Sequence, residues 1–120
     1  MNEKEKEIDR WNQRLRNLSD NQYAKERELR RHRQLQDEID NIHNQNNRLF
    51  QDIGSAWHRD RKMAVFLEDQ RHVYQRQHFR VMEEMEDRQS QLDAERKALL
   101  DKEADYYEAR RKLTIGGEQS

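Results

Sequence analysis

The reactive side chains of this chain are five histidines and many carboxylates; cysteine is absent. His58-Arg59-Asp60 has the letters of the protein-kinase catalytic loop. It stands without a glycine-rich loop or a DFG triad, and 120 residues leave no room for a kinase domain. Among His32, His43, His58, His72 and His78, no two are four apart, the spacing that seats a metal between imidazoles on one helix face. His72 and His78 are six apart and belong to different faces. Glu83, Glu84, Glu86 and Asp87 cluster in sequence, but acid–base work needs surroundings that push two carboxyl pKa values apart. Nothing nearby promises such a pocket. Without cysteine there is no thiolate nucleophile, disulfide framework or Cys-containing zinc site. The residues therefore predict no catalysis, no metal site and no cofactor. The cluster Arg27, Arg30, Arg31 and Arg33 spreads over several helix faces, is interrupted by Glu28 and holds no aromatic for base stacking. It reads as a solvated or ion-paired face rather than a nucleic-acid site.

The elements that would carry these residues are helical. Charged residues make up 41% of the chain and apolar ones 32%, with no proline, and the apolar residues recur periodically. That is the composition of long, largely exposed helices. A net charge of −1 gives no electrostatic pull toward nucleic acid or an anionic membrane. The opening MNEKEKEID is charged where a signal peptide would be apolar, and no run approaches the roughly 20 residues that span a bilayer. The expectation is a cytoplasmic protein without membrane insertion, with co-export alongside a cargo left open.

Ile8, Trp11, Leu15 and Leu18 step by three and four, and Gln22, Lys25 and Leu29 continue the row. Leu35 lies six residues after Leu29, so following the apolar residues through Leu35, Ile39, Ile42, Asn46, Leu49 and Ile53 predicts a heptad slip. A second arm carries Leu67, Tyr74 and Val81 in one row, and Ala64, His78, Met85, Leu92, Leu99, Tyr106 and Leu113 in another. Arg88, Glu95 and Lys102 read as charged companions of that stripe, which suits contact with one partner helix. Between the arms, Gly54 has the residue type preferred just past a helix end and Ser55 that of an N-cap. The reading is all-α: a long, coiled-coil-like antiparallel two-helix hairpin over 1–114. Helix 1 covers about 3–53, a turn lies at 54–56 with Gly54 and Ser55, helix 2 covers about 57–114, and a flexible tail follows at 115–120.

Residues 49–85 hold 16 apolar positions out of 37, against 22 of the other 83, so the apolar surplus sits around the turn and the start of the second arm. Met63, Phe66, Val73, Phe79 and Met82 do not share the row of Leu67, Tyr74 and Val81. A helix apolar on more than one face needs more than one neighbour. Phe50, Trp57, Met63, Phe66, Val73, Phe79 and Met82 are therefore the predicted partner-binding residues. Self-association of the isolated chain through the same surface is the competing expectation.

Leu49, Phe50, Gly54, Trp57, Ala64 and Phe66, set in a hairpin of this length, resemble the WXG (ESAT-like) small proteins of type VII secretion. The dense charge and the aromatic second arm look more like the small helical accessory proteins encoded beside LXG toxins in Gram-positive bacteria. The resemblance implies a targeting factor or chaperone that binds the helical N-terminal domain of an LXG toxin together with a second small WXG-like helical protein. The motif match covers about 49–66. His58 and Arg59 follow Trp57, so the glycine of W-x-G is missing. Arg110 and Arg111 stand four residues after Tyr106 and Tyr107, where the Tyr-x-x-x-Asp/Glu export signal needs an acid. Both departures suit an accessory protein whose partners carry the export address. Two other readings stand beside it: a coiled-coil stalk of a type III or flagellar export ATPase, and a nucleic-acid-binding helix pair using Arg27 to Arg33.

Overall fold

In a computed structural model, residues 2–118 are described, with side chains through Gly116. The chain forms two helices, α1 (Glu3–Ala56) and α2 (Arg61–Glu118). Asn2 caps α1: its Oδ1 accepts from the Glu5 amide at 2.8 Å, and Glu3 and Glu5 in the first turn favour the positive helix end.

The reversal differs from the one expected at 54–56. Gly54 and Ser55 lie inside α1, Gly54 has no positive φ, and a Cβ there would meet nothing within 4 Å. One glycine costs a helix only about 1 kcal/mol, too little to end it. The turn is instead built by Trp57, His58, Arg59 and Asp60. The Trp57 amide still donates to the Ile53 carbonyl at 3.0 Å, and the Asp60 amide closes a tight turn onto the Trp57 carbonyl at 3.0 Å. His58 Nδ1–H donates to the Ser55 carbonyl at 2.9 Å, meeting one of the acceptors a helix end leaves open. Asp60, rather than Ser55, is the N-cap of α2, its Oδ1 accepting from the Met63 amide at 3.0 Å. The kinase-like tripeptide is thus a pair of helix caps. At the other end, α2 continues through 115–118 where a tail was expected, and residues 119–120 lie outside the described residues.

The chain divides into two units. Unit 1 comprises Met1–Arg30 and Ser90–Ser120, unit 2 Arg31–Gln89. In each, the two helices run antiparallel, and the turn of the helical hairpin belongs to unit 2: Trp11 meets Tyr106 and Lys25 meets Glu95 in unit 1, while His32 meets Met85 and His43 meets Tyr74 in unit 2.

Unit 1 is held by a narrow leucine seam. Leu18, Leu29 and Leu92 are buried, with Leu29 and Leu92 each 1% exposed. Burying a leucine stabilises a fold by about 1.5–3 kcal/mol. The Trp11 and Tyr106 rings meet edge to face with centroids 5.4 Å apart. Around them Lys25 pairs with Glu95 and, at 3.5 Å, with Glu28. Arg96 pairs with Glu26 at 2.7 Å, and Arg110 donates to Asn12 at 2.9 Å.

Unit 2 has a polar seam. Its α1 residues facing α2 are His32, Gln36, Ile39, His43, Asn46, Phe50 and Ile53, all buried or half-buried. They alternate steps of three and four in the same heptad frame as Ile8 to Leu29, so the slip expected after Leu29 does not occur. Leu35, Ile42 and Leu49 instead face solvent. On α2 a matching correction applies: Val81 is exposed, and Met82 is half-buried beside buried Met85. In unit 1 the companion row holds at half-buried Glu95, beside exposed Arg96, and moves by one further along, to half-buried Glu103 and Arg110, while Lys102 is exposed.

Candidate interaction surface on unit 2

Hydrogen bonds explain how imidazoles come to occupy a helix–helix seam. His32 is buried and its Nε2–H donates to the Met85 carbonyl at 2.9 Å. His43 stacks face to face on His78, with centroids 3.7 Å apart and planes 8° from parallel. Its Nδ1 shares a hydrogen with the Tyr74 hydroxyl at 3.0 Å, and its Nε2 accepts from the Asn47 amide at 3.2 Å. Tyr74 also touches Phe50, with ring centroids 5.9 Å apart. Burial holds the His78 pKa below the usual imidazole value; the neighbouring His43 lowers it further, and Asp40 opposes both. This cluster is an ordered, polar lining between two helices. Among the described residues, no group of three or more histidine, aspartate or glutamate side chains is placed to hold a metal ion.

The surface follows from the same frame. With Gln36, His43 and Phe50 at heptad position a and His32, Ile39, Asn46 and Ile53 at d, the residues preceding each a are Leu35, Ile42 and Leu49, at position g. They are 46%, 54% and 56% exposed. A seam apolar at a and d alone serves one partner helix; apolar residues added at g widen the stripe to that of a helix with two neighbours. In unit 1 the equivalent g positions are Glu7, Arg14, Asn21 and Glu28, and the open grooves on that flank carry Arg10, Lys25, Glu95 and Lys112. The apolar g row is confined to unit 2.

In an antiparallel pair the g flanks of both helices lie side by side. On α2, Phe66 and Val73 precede Leu67 and Tyr74, the residues that face α1, and lie about 100° round the helix. That is the flank of Gln70 and Gln77, with Val81 next along it. The opposite flank of unit 2 is a shallow groove lined by Phe50, Gly54, Trp57, Leu67, Glu68 and Arg71. Leu35, Ile42 and Leu49 from α1 and Phe66, Val73 and Val81 from α2 therefore lie on one side of unit 2, with the exposed Gln70 and Gln77 between the two rows, and all six are exposed.

The seven predicted partner-binding residues divide on this geometry. Phe66 and Val73 belong to the face. Phe50, Met63 and Met82 are half-buried, Phe50 against Tyr74. Trp57 is exposed at the turn. Phe79 is the most exposed of the large apolar side chains at 64%, but sits about 140° round α2 from Phe66 on a 3.6-residue helix. Leu35, Ile42 and Leu49 are the members that following the greasy residues assigned to the seam. Their signal was a seven-residue period beginning one position before Gln36. Arg27, Arg30, Arg31 and Arg33 are each exposed. Among the described residues no helix is long and apolar enough to cross a membrane.

A family model described as "Protein of unknown function (DUF3958)" matches residues 6–113, most of both helices. The chain belongs to that family. No curated protein and no solved structure matches it. The span matched by DUF3958 takes in both the leucine seam of unit 1 and the apolar face of unit 2.

Proposed function

We propose that this chain is a non-enzymatic adaptor that receives a helix of another protein on the apolar face of unit 2. The observation that carries the reading is the heptad-spaced row Leu35, Ile42 and Leu49, with Phe66 and Val73 beside it, in a unit whose own seam is already closed by hydrogen-bonded histidines. A row repeating every seven residues matches the side-chain period of another helix. The resemblance of Leu49, Phe50, Trp57 and Phe66 to type VII accessory proteins suggests the partner: the helical N-terminal domain of an LXG toxin, bound with a second small WXG-like protein in the cytoplasm. The adaptor would cover an apolar stripe of the toxin before export and align it for the secretion machine. In that role the missing W-x-G glycine and export signal cost nothing, because recognition rests on the complex.

Co-expression with the helical N-terminal domain of an LXG toxin tests the reading. A stoichiometric helical complex is expected on co-purification, and Ile42→Glu or Phe66→Glu should weaken it at least 30-fold, the loss of about 2 kcal/mol typical of a buried anchor. A chain that ignores such a domain, with or without the second small protein, would refute the assignment. A stalk of an export ATPase would instead tolerate both substitutions.

A further inference from the structure

We infer that the apolar face of unit 2 is also self-complementary and that, without its partner, the chain dimerises through it about a two-fold axis at Ile42. The inference uses the face on which the adaptor reading rests but needs no toxin. Leu35, Ile42 and Leu49 read the same in both directions at a constant spacing of seven. Laid antiparallel on a second copy, Ile42 meets Ile42 and each Leu35 meets a Leu49, the self-matching that an isologous contact requires.

The flanking charges fit the same register. The position outside the row is held by Arg31, Glu38, Gln45 and Asp52, all exposed. Like flanks face each other in an antiparallel pair. Centring on Ile42 then sets each Arg31 level with Asp52 of the other copy, and each Glu38 level with Gln45. Two opposite-charge pairs form and no like charges meet. Beyond Gln70 and Gln77, Phe66, Val73 and Val81 of each copy extend the contact on its inner side. Covering six half-exposed large side chains on each of two copies removes on the order of 1,000 Å² from water, the lower bound for a specific interface. The occupant is thus a second copy, and a partner helix must displace it.

Sedimentation of the purified full chain at micromolar concentration, with helicity followed by circular dichroism, tests this. A dimer is expected. Ile42→Glu should make it monomeric with helicity retained, since Ile42 is exposed within each chain. Arg31→Asp or Asp52→Arg alone should raise the dimer Kd about three- to tenfold, and the double exchange should restore it, as surface ion pairs of modest strength would. A monomeric wild-type chain overturns the inference. So does a dimer indifferent to Ile42→Glu, which would be an arm-exchanged pair. A monomer that still captures the LXG domain sinks the dimer and spares the adaptor reading; a dimer that captures none does the reverse.

Discussion

At the scale of single residues, the stacked pair His43–His78 gives unit 2 a sensitivity to acid. The rings lie 3.7 Å apart, and burial, helped by His43, depresses the His78 pKa below its value in the unfolded chain, 6.5. In the window between the two values the unfolded state binds more protons than the folded one, so stability rises with pH. The contribution is fully present above pH 6.5 and is lost as pH falls through that value toward the folded pKa. Asp40, which faces His78, favours its charged form and opposes the depression without cancelling it. Thermal melts should therefore show a lower Tm at pH 5 than at pH 7.5, and His78→Gln should flatten that dependence. An unchanged slope in His78→Gln would show that other groups set it.

At the scale of the helices, most of the architecture was legible and the misreadings have two causes. The rows Ile8 to Leu29 and Met85 to Leu113 are found where their spacing put them, because leucines and aromatics occupy the seam there. In unit 2 the seam alternates the polar His32, Gln36, His43 and Asn46 with Ile39, Phe50 and Ile53, and hydrogen bonds and stacking hold the two histidines there. Following hydrophobicity then shifts one position onto Leu35, Ile42 and Leu49, which face solvent. Steric period, not greasiness, marks the seam. At the turn the glycine drew the boundary, although His58 and Asp60 supply the caps that end one helix and begin the next. Two substitutions separate these readings. Gly54→Ala should stabilise the chain by about 0.5–1 kcal/mol, because φ is ordinary and a Cβ meets nothing. Asp60→Ala should destabilise it by about 1 kcal/mol through loss of the Met63 contact. Denaturant midpoints measure both, and a destabilised Gly54→Ala would return the reversal to Gly54.

At the scale of the whole molecule, the two units differ in what they bury, although both expose large apolar side chains, Tyr23, Leu100 and Tyr107 among those of unit 1. Unit 1 buries Leu18, Leu29 and Leu92 and surrounds them with the Lys25–Glu95, Arg96–Glu26 and Arg110–Asn12 pairs. Unit 2 buries His32 and Met85 while Leu35, Ile42, Leu49, Phe66 and Val73 stay exposed. Hydrogen bonds that replace bonds to water contribute about 0.5–1.5 kcal/mol each, less than a buried leucine, so unit 2 alone is the softer part. Local opening follows such differences, and amide exchange reads them. In the wild-type chain at nanomolar concentration, amides of 36–53 and 64–82 should exchange faster than those of 15–29 and 92–106. Raising the concentration, or adding the LXG domain, should slow exchange in the first two segments and leave the others unchanged. In Ile42→Glu neither addition should protect 36–53, because the covering helix has lost its anchor. Equal protection in both units at every concentration would mean that the histidine seam suffices by itself, and the exposed row would then have no helix to receive.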